Sequence, residues 1–191
     1  MNLNKFNSLV DLFFYKAERE YSNTAFLEWL NPKNKKKYTW GETTTSIKKF
    51  AKVLKNNISE GDRCLLVSEN RPEWLIADLA IMLASGITVP AYTTYTEKDY
   101  KYLIEDCEPS VIIVSNNEMH NKLKNIIKEK NFIKKIIAFD NLSDVEKQDK
   151  YLKFDSIIND KLNENIEIKN ENLKRNSPAC IIYTSGTAGN P

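Results

Sequence analysis

The feature that most constrains this sequence is a regular alternation of short apolar runs and longer amphipathic runs between residues 61 and 139. The amphipathic runs have the apolar spacing of helices, and parallel strands need crossover connections that helices supply. The alternation therefore predicts an α/β fold, in which helices cover a layered parallel sheet on both faces. The four predicted strands lie near residues 63–68, 87–91, 110–114 and 134–139.

Capping signals set the boundaries of the helices between these strands. The first helix begins at Pro72, because proline suits a first helical turn, and it closes at Gly86. The next two helices are predicted to begin with a hydroxyl residue that is followed three positions later by an acidic residue. These pairs are Thr96 with Asp99 and Ser115 with Glu118.

The remaining sequence divides into three parts around this core. Residues 1–60 predict an amphipathic helix, a strand at 24–30, a second short strand and a helix that Thr39 and Glu42 cap. Residues 140–176 form a polar connection with one short helix near 155–162. Residues 177–191 are predicted to form a final strand over 177–185 and a glycine-containing loop.

Composition excludes several classes of protein. The chain is 41% apolar and has a formal net charge of only +2, with no long run of one sign, so nucleic acid is not an expected partner. No apolar run is long enough to cross a membrane, and the amino terminus lacks a signal peptide, which predicts a cytoplasmic protein. Cys64, Cys107 and Cys180 are interpreted as core residues in a reducing compartment, and no metal site is expected. The one histidine, His120, is placed on the surface.

The last nine residues, Tyr-Thr-Ser-Gly-Thr-Ala-Gly-Asn-Pro, combine small hydroxyl residues with Gly186 and Gly189. Glycine allows a backbone to approach a ligand closely, and successive N–H groups with hydroxyls can donate to one phosphate. The stretch lacks the lysine of a Walker loop and the third glycine of a dinucleotide fingerprint. On these residues alone, a phosphate-binding loop and a flexible tail both stay open.

This stretch resembles the phosphate-binding signature of the adenylate-forming enzymes, which include acyl-CoA synthetases, luciferases and peptide-synthetase adenylation domains. That signature usually runs Tyr-Thr-Ser-Gly-Thr-Thr-Gly-x-Pro-Lys-Gly. Ala188 replaces the second of its paired threonines, and the sequence ends before the lysine. The resemblance implies an ATP phosphate-binding site that consists of Tyr183, Thr184, Ser185, Gly186, Thr187 and Gly189.

Residues 61–115 are similar to one branch of that superfamily, the long-chain fatty acyl-CoA synthetases. The shared elements are a Gly-Asp-Arg strand start, an Asn-Arg-Pro-Glu-Trp helix start and a Val-Pro-x-Tyr strand end. Thr93 stands where many relatives have proline. Structural roles are favoured over substrate contacts for Trp74, Pro90 and Tyr92, with Trp74 interpreted as helix packing and Pro90 as a kink at the strand end.

The resemblance implies a function in two steps. A fatty acid carboxylate and ATP, with Mg²⁺, form acyl-AMP and pyrophosphate, and coenzyme A then takes the acyl group as a thioester. It also implies that 1–191 is an incomplete amino-terminal AMP-binding domain, with no catalytic residue or metal ligand of its own and no activity alone. Peripheral contact with a membrane is left open for an enzyme of fatty acids. The alternatives are a non-catalytic α/β module that binds a nucleotide or partner, and another adenylate-forming ligase.

Overall fold

The computed structural model describes residues 3–30, 35–128, 130–143, 149–160, 168 and 173–184. A short 3-10 helix, Leu3–Lys5, precedes the regular elements. The α-helices are α1 (Leu9–Ala17), α2 (Trp40–Lys55), α3 (Pro72–Leu83), α4 (Glu97–Cys107), α5 (Asn117–Ile127) and α6 (Phe154–Ile158). The strands are β1 (Ala25–Trp29), β2 (Lys36–Thr39), β3 (Arg63–Val67), β4 (Ile87–Ala91), β5 (Val111–Val114), β6 (Lys135–Ala138) and β7 (Tyr151–Lys153).

Five strands form one parallel sheet in the order β4-β3-β5-β6-β7. Within this sheet the chain enters at β3 and moves outward to β4. It then crosses back over β3 to β5 and continues through β6 to β7 at the opposite edge. β1 and β2 form a separate antiparallel hairpin. The predicted parallel α/β sheet is confirmed, and each of its four predicted strands lies within two residues of the observed bounds.

Helices cover the sheet on both faces, so β3, β5 and β6 are almost completely buried and β4 is mostly buried. Successive residues of β3 point to opposite sides: Cys64 and Leu66 belong to one core, and Leu65 and Val67 belong to the other. The first core contains residues of α2, α3 and α6, and the second contains residues of α4 and α5. Two buried faces explain why these strands are apolar throughout rather than alternating with polar residues.

The capping predictions are confirmed at three helices and wrong at one. Thr39 and Thr96 each form the predicted capping box, and α3 begins at Pro72. Ser115, however, is not the cap of α5, because its backbone N–H donates to the Val67 carbonyl and continues the sheet. Asn116 takes that role, and its side chain accepts a hydrogen bond from the Met119 backbone N–H at 3.1 Å.

Outside the core, the structure differs from the predictions for the carboxyl-terminal strand, for Cys180 and for the polar connection. The strand predicted over 177–185 is, in its described part, a single parallel bridge between Cys180 and Thr88. Cys180 is exposed, whereas Cys64 and Cys107 are buried as predicted. The connection after residue 139 contains a strand, β7, that the polar sequence did not reveal, because an edge strand does not need apolar residues on both faces.

His120 is the second correction of burial. It is only 6% exposed, because Tyr151 of β7 packs against its ring with the centroids 5.6 Å apart. Its Nε2 lies 3.3 Å from the Tyr151 hydroxyl. Burial and the charge of Lys124 lower the pKa of His120, so the ring is held neutral at the edge of the sheet.

Candidate functional site

The carboxyl ends of the parallel strands meet at one edge of the sheet, and in open α/β sheets ligands bind outside that edge. Residues 68–71 follow β3, residues 92–96 follow β4, and residues 139–140 follow β6. These loops carry most of the polar side chains that the sheet presents at this edge. The candidate site is therefore built where β3 and β4 end.

The segment that leads to the glycine-containing loop runs beside β4. The Thr88 N–H donates to the Ala179 carbonyl at 3.1 Å, and the Ile181 N–H donates to the Thr88 carbonyl at 2.9 Å. The pairing is parallel, so the chain leaves this bridge in the direction of the carboxyl edge. Of the predicted phosphate-binding residues, Tyr183 is half-buried and Thr184 is exposed. The other four, Ser185, Gly186, Thr187 and Gly189, lie outside the described residues.

A cleft of about 440 Å³ opens at this edge. One wall is formed by residues 68–70 and Trp74, the other by residues 90–93, and residues 182–183 close it on the side of the carboxyl-terminal segment. The Lys122 ammonium donates to the Thr93 carbonyl at 2.7 Å, which ties the loop after β4 to α5. The lining of the cleft thus includes Tyr183, the first residue of the predicted phosphate-binding site.

Trp74, Pro90 and Tyr92, for which the sequence favours structural roles, all border this cleft. Trp74 is partly buried and packs against the core beneath α3, and Pro90 lies within β4 opposite Leu66. Tyr92 differs, because its side chain is 66% exposed. Its backbone carbonyl accepts a hydrogen bond from the buried Tyr100 hydroxyl at 2.7 Å. The structure therefore gives Trp74 and Pro90 packing contacts and leaves the Tyr92 ring on the surface.

Tyr183 is held in place through both its side chain and its backbone. Its hydroxyl is hydrogen-bonded to the Asp106 carboxylate, and its ring meets the Tyr102 ring edge-on at 6.2 Å. The Tyr183 carbonyl accepts a long hydrogen bond, 3.5 Å, from the Tyr95 hydroxyl. Burial and the Asp106 carboxylate both raise the pKa of Tyr183 above its ordinary value, so the phenol stays protonated and continues to donate.

A buried network of ion pairs centred on Arg71 and Glu73 lies close to the cleft in the sequence. The sequence patterns did not predict this network. The fully buried Arg71 guanidinium binds both Asp140 oxygens, at 2.9 and 3.1 Å, and donates from Nε to Glu73 at 2.8 Å. Glu73 also accepts from Lys36 at 2.8 Å and from Tyr38 at 3.1 Å. The sequence pattern assigns Arg71 and Glu73 only to a helix start. The available signal was an arginine after one strand and an aspartate directly after another.

The network joins three parts of the fold. Arg71 stacks over the Trp29 ring of the hairpin at 4.6 Å, and Asp140 follows β6. Burial alone raises the pKa of Glu73, but hydrogen bonds from Arg71 and Lys36 outweigh burial and lower the pKa to about 2. Glu73 is therefore an anion at neutral pH, and its hydrogen bonds connect the hairpin to the loop after β3.

The cysteines and the histidine of the described residues do not line the cleft. Cys64 and Cys107 are buried, and burial raises the pKa of both thiols, to about 11 for Cys107. His120 lies between α5 and β7, away from the cleft lining. Within the described ranges, no group of three His, Cys, Asp or Glu side chains is placed to hold a metal ion. None of the helices described has the length and hydropathy needed to cross a bilayer.

Comparison with known proteins places this geometry in a family. Residues 13–191 match the family model described as AMP-binding enzyme. The long-chain-fatty-acid–CoA ligase ACSBG1 of Rattus norvegicus is 23% identical over 188 residues, which are 95% of this chain and 26% of that relative. The mitochondrial acyl-coenzyme A synthetase ACSM3 of Homo sapiens is 26% identical over 182 residues, which are 92% of this chain and 29% of that relative. The chain thus spans less than a third of the length of these relatives.

Solved structures share the fold. The anthranilate CoA ligase AuaEII, solved with anthranoyl-AMP, superposes with a TM-score of 0.79 at 21% identity and covers 97% of this chain and 33% of its own. The coronafacic acid ligase from Pectobacterium brasiliense gives a TM-score of 0.78 at 21% identity, covering 95% of this chain and 34% of its own. At this identity the likeness establishes the shared fold.

Proposed function

Because the chain belongs to the AMP-binding enzyme family, we propose that it provides the ATP phosphate-binding region of a fatty acid–CoA ligase. The observation that carries the proposal is the parallel bridge between Cys180 and Thr88. It directs the described segment that ends at Thr184 toward the carboxyl edge of the sheet, and the rest of the phosphate-binding signature follows this segment in the sequence. Relatives described as fatty-acid and acyl-CoA ligases support the reaction class.

The proposed reaction has two steps. The fatty acid carboxylate attacks the α-phosphate of ATP to form acyl-AMP and pyrophosphate, and the sulfur of coenzyme A then displaces AMP to form the thioester. The first step brings an anion toward a polyanion, so it needs donors that hold the phosphates without reacting. The Thr184, Ser185 and Thr187 hydroxyls and the backbone N–H groups of Gly186 and Gly189 are proposed as these donors. Mg²⁺ would screen the phosphate charge in the complete site.

The chain by itself is proposed to be inactive. The chain covers only 26% of the rat relative, so it lacks counterparts of most of that relative's residues. A surface that contacts only the phosphates of ATP cannot offset the roughly 4–15 kcal/mol of freedom lost on binding. Calorimetric titration of residues 1–191 with Mg-ATP, with a pyrophosphate-release assay on palmitate, is expected to show neither binding nor turnover. Micromolar ATP binding would instead support the alternative of a self-sufficient nucleotide-binding module.

The phosphate-binding role is tested in a longer protein that contains this chain and releases pyrophosphate. Replacing Ser185 and Thr187 together by alanine removes two hydroxyl donors, each worth about 1.5–3 kcal/mol when it binds a charged group. We expect kcat/KM for ATP to fall at least about tenfold. Thr45→Ala, which removes an exposed hydroxyl from α2, is the matched control and should leave ATP use unchanged. Equal ATP dependence in the double variant and the control would refute the assignment.

A different adenylate-forming ligase is the second candidate. The observation in its favour is that two solved structures with TM-scores near 0.79 are ligases of anthranilate and coronafacic acid. Both candidates use the same phosphate-binding loop and differ in the carboxylate. Comparing pyrophosphate release with palmitate and with anthranilate, in the same longer protein, separates them. Turnover with anthranilate alone would exclude the fatty acid proposal.

A further inference from the structure

A loop that positions phosphates has to be anchored at the point where it leaves the sheet. Here the contacts come from α4 and the loop before it. Two side chains of α4 and one side chain of that loop contact Tyr183, the residue before Thr184. Asp106 accepts the hydrogen bond of the Tyr183 hydroxyl, Tyr102 packs edge-on against the ring, and Tyr95 donates to the backbone carbonyl. The Cys180–Thr88 bridge fixes the same segment three residues earlier.

The end of α4 that carries Asp106 is itself fixed to the sheet. Arg63, the first residue of β3, donates from Nε to the Cys107 carbonyl at 2.6 Å and from Nη2 to the Glu108 carbonyl at 3.3 Å. These bonds satisfy carbonyls that a helix end otherwise leaves without partners. At the opposite end, the Thr96 capping box fixes the first turn, and the inner face of the helix is buried. Asp106 therefore projects from a helix that is held at both ends.

We propose that Asp106 is a positioning residue for the phosphate-binding loop, and that it acts through the Tyr183 hydroxyl. This inference rests on the proposed function and adds to it a residue outside the loop signature. Asp106 contacts Tyr183 at its hydroxyl, which is the end of the side chain farthest from the backbone that continues to Thr184. A carboxylate next to the phosphates would repel them. The neutral phenol of Tyr183 lies between Asp106 and the loop backbone, so Asp106 can hold the loop without placing its charge at the phosphates.

The neighbouring residue Glu105 provides a matched control. Glu105 and Asp106 are consecutive, acidic and exposed, but Glu105 pairs with Lys130 at 2.9 Å, whereas Asp106 is hydrogen-bonded to Tyr183. A general effect of removing an acidic residue from α4 would appear in both variants. An effect through Tyr183 would appear only at Asp106.

The direct test is amide hydrogen exchange on residues 1–191, which needs neither ATP nor activity. In Asp106→Ala and in Tyr183→Phe, the Ile181 amide, which donates to Thr88, is expected to exchange about fivefold faster than in the parent chain. The Leu65 amide in the buried sheet should keep its rate. Asp106→Asn retains a neutral acceptor and should recover part of the protection. Glu105→Ala should exchange like the parent at both positions.

Two exchange results would overturn the proposal. One is an unchanged Ile181 rate in Asp106→Ala, and the other is an equal rise at Ile181 and Leu65, which would make Asp106 a general stabiliser. In a longer protein that releases pyrophosphate, Asp106→Ala should also raise KM for ATP about fivefold and leave KM for the carboxylate unchanged. Should the parent protein release no pyrophosphate, the proposed function fails, while the exchange experiment still decides the role of Asp106.

Discussion

The parallel sheet and the segment beside it are held in very different ways. All four residues of β5 are buried, and the strand pairs with β3 on one side and with β6 on the other. The segment from residue 179 to residue 184 pairs on one side only, through a single bridge, and Ile182 is 63% exposed. The sheet thus contributes stability, and the segment that carries the proposed site is attached to it by a few separable contacts.

The largest expected difference between the two regions is in thiol reactivity. Cys64 is buried in β3 and Cys180 is exposed beside β4. In native protein, a maleimide should label Cys180 more than about a thousandfold faster than Cys64, because Cys64 becomes accessible only when the sheet opens. Mass spectrometry of labelled peptides over time measures both rates. Similar rates for the two cysteines would show that the sheet is not the more stable region.

Breaking the buried network should cause the largest loss of stability. Arg71→Met leaves the Glu73 carboxylate buried without its guanidinium, which typically costs about 3–5 kcal/mol. Lys37→Met, which breaks the exposed pair with Glu28, is the control and should cost less than about 1 kcal/mol. Urea denaturation gives both values. A loss at Arg71 no larger than the control would mean that the network does not join the hairpin to the sheet.

The same network has a defined pH dependence. Because the pKa of Glu73 in the folded chain lies at about 2, below its ordinary value of 4.5, the unfolded chain binds more protons between these two values. The stability that the carboxylate contributes is therefore complete above about pH 4.5 and is lost as the pH falls toward 2. Glu73→Gln should flatten this part of the stability curve.

A pair of aliphatic substitutions compares the two regions directly. Leu66→Ala opens a cavity in the fully buried sheet and should lower the free energy of unfolding by about 2–5 kcal/mol. Ile182→Ala removes an exposed side chain and should change it by no more than about 0.5 kcal/mol. Equilibrium unfolding in urea measures both. A loss above about 2 kcal/mol for Ile182→Ala would place this segment within the folding core.

The smallest expected effect concerns the far edge of the sheet. Burial lowers the pKa of His120 below 6.5, so the unfolded chain takes up the proton first as the pH falls. Stability that comes from the neutral ring is present above pH 6.5 and is lost below it. His120→Gln should lose less stability than the parent between about pH 7.5 and about pH 5.5. Equal losses in both proteins would show that the ring is not held neutral against Tyr151.

Sequence patterns predicted the elements whose signals are local. The buried strands of 61–139 and the caps at Thr39 and Thr96 depend on residues within a few positions of each other, and they are confirmed. The errors at Ser115, His120 and Cys180 share a cause. In each case a distant part of the chain decides the outcome: Val67 binds the Ser115 backbone, Tyr151 covers His120, and only one side of the segment around Cys180 is paired.

The phosphate-binding residues stay a prediction from the motif, and the surroundings of the motif could not be predicted from the sequence. The structure places Tyr183 in the lining of the cleft where β3 and β4 end. Nothing in the spacing of the sequence connected Tyr183 with Asp106, or Arg71 with Asp140, because these pairs are separated by 77 and 69 positions. Side chains that support a site come from whichever elements the topology places beside it.

The segment that pairs with β4 lies far from β4 in the sequence, and this separation has a consequence for synthesis on the ribosome. β4 forms the outer edge of the sheet, and the residue that pairs with Thr88 is made roughly ninety residues later, after every other strand of the sheet. During that interval the nascent chain presents an unpaired parallel edge that another polypeptide could join. Pausing of translation after residue 139 would prolong this exposure and favour aggregation, whereas rapid synthesis through Ile182 would cover the edge.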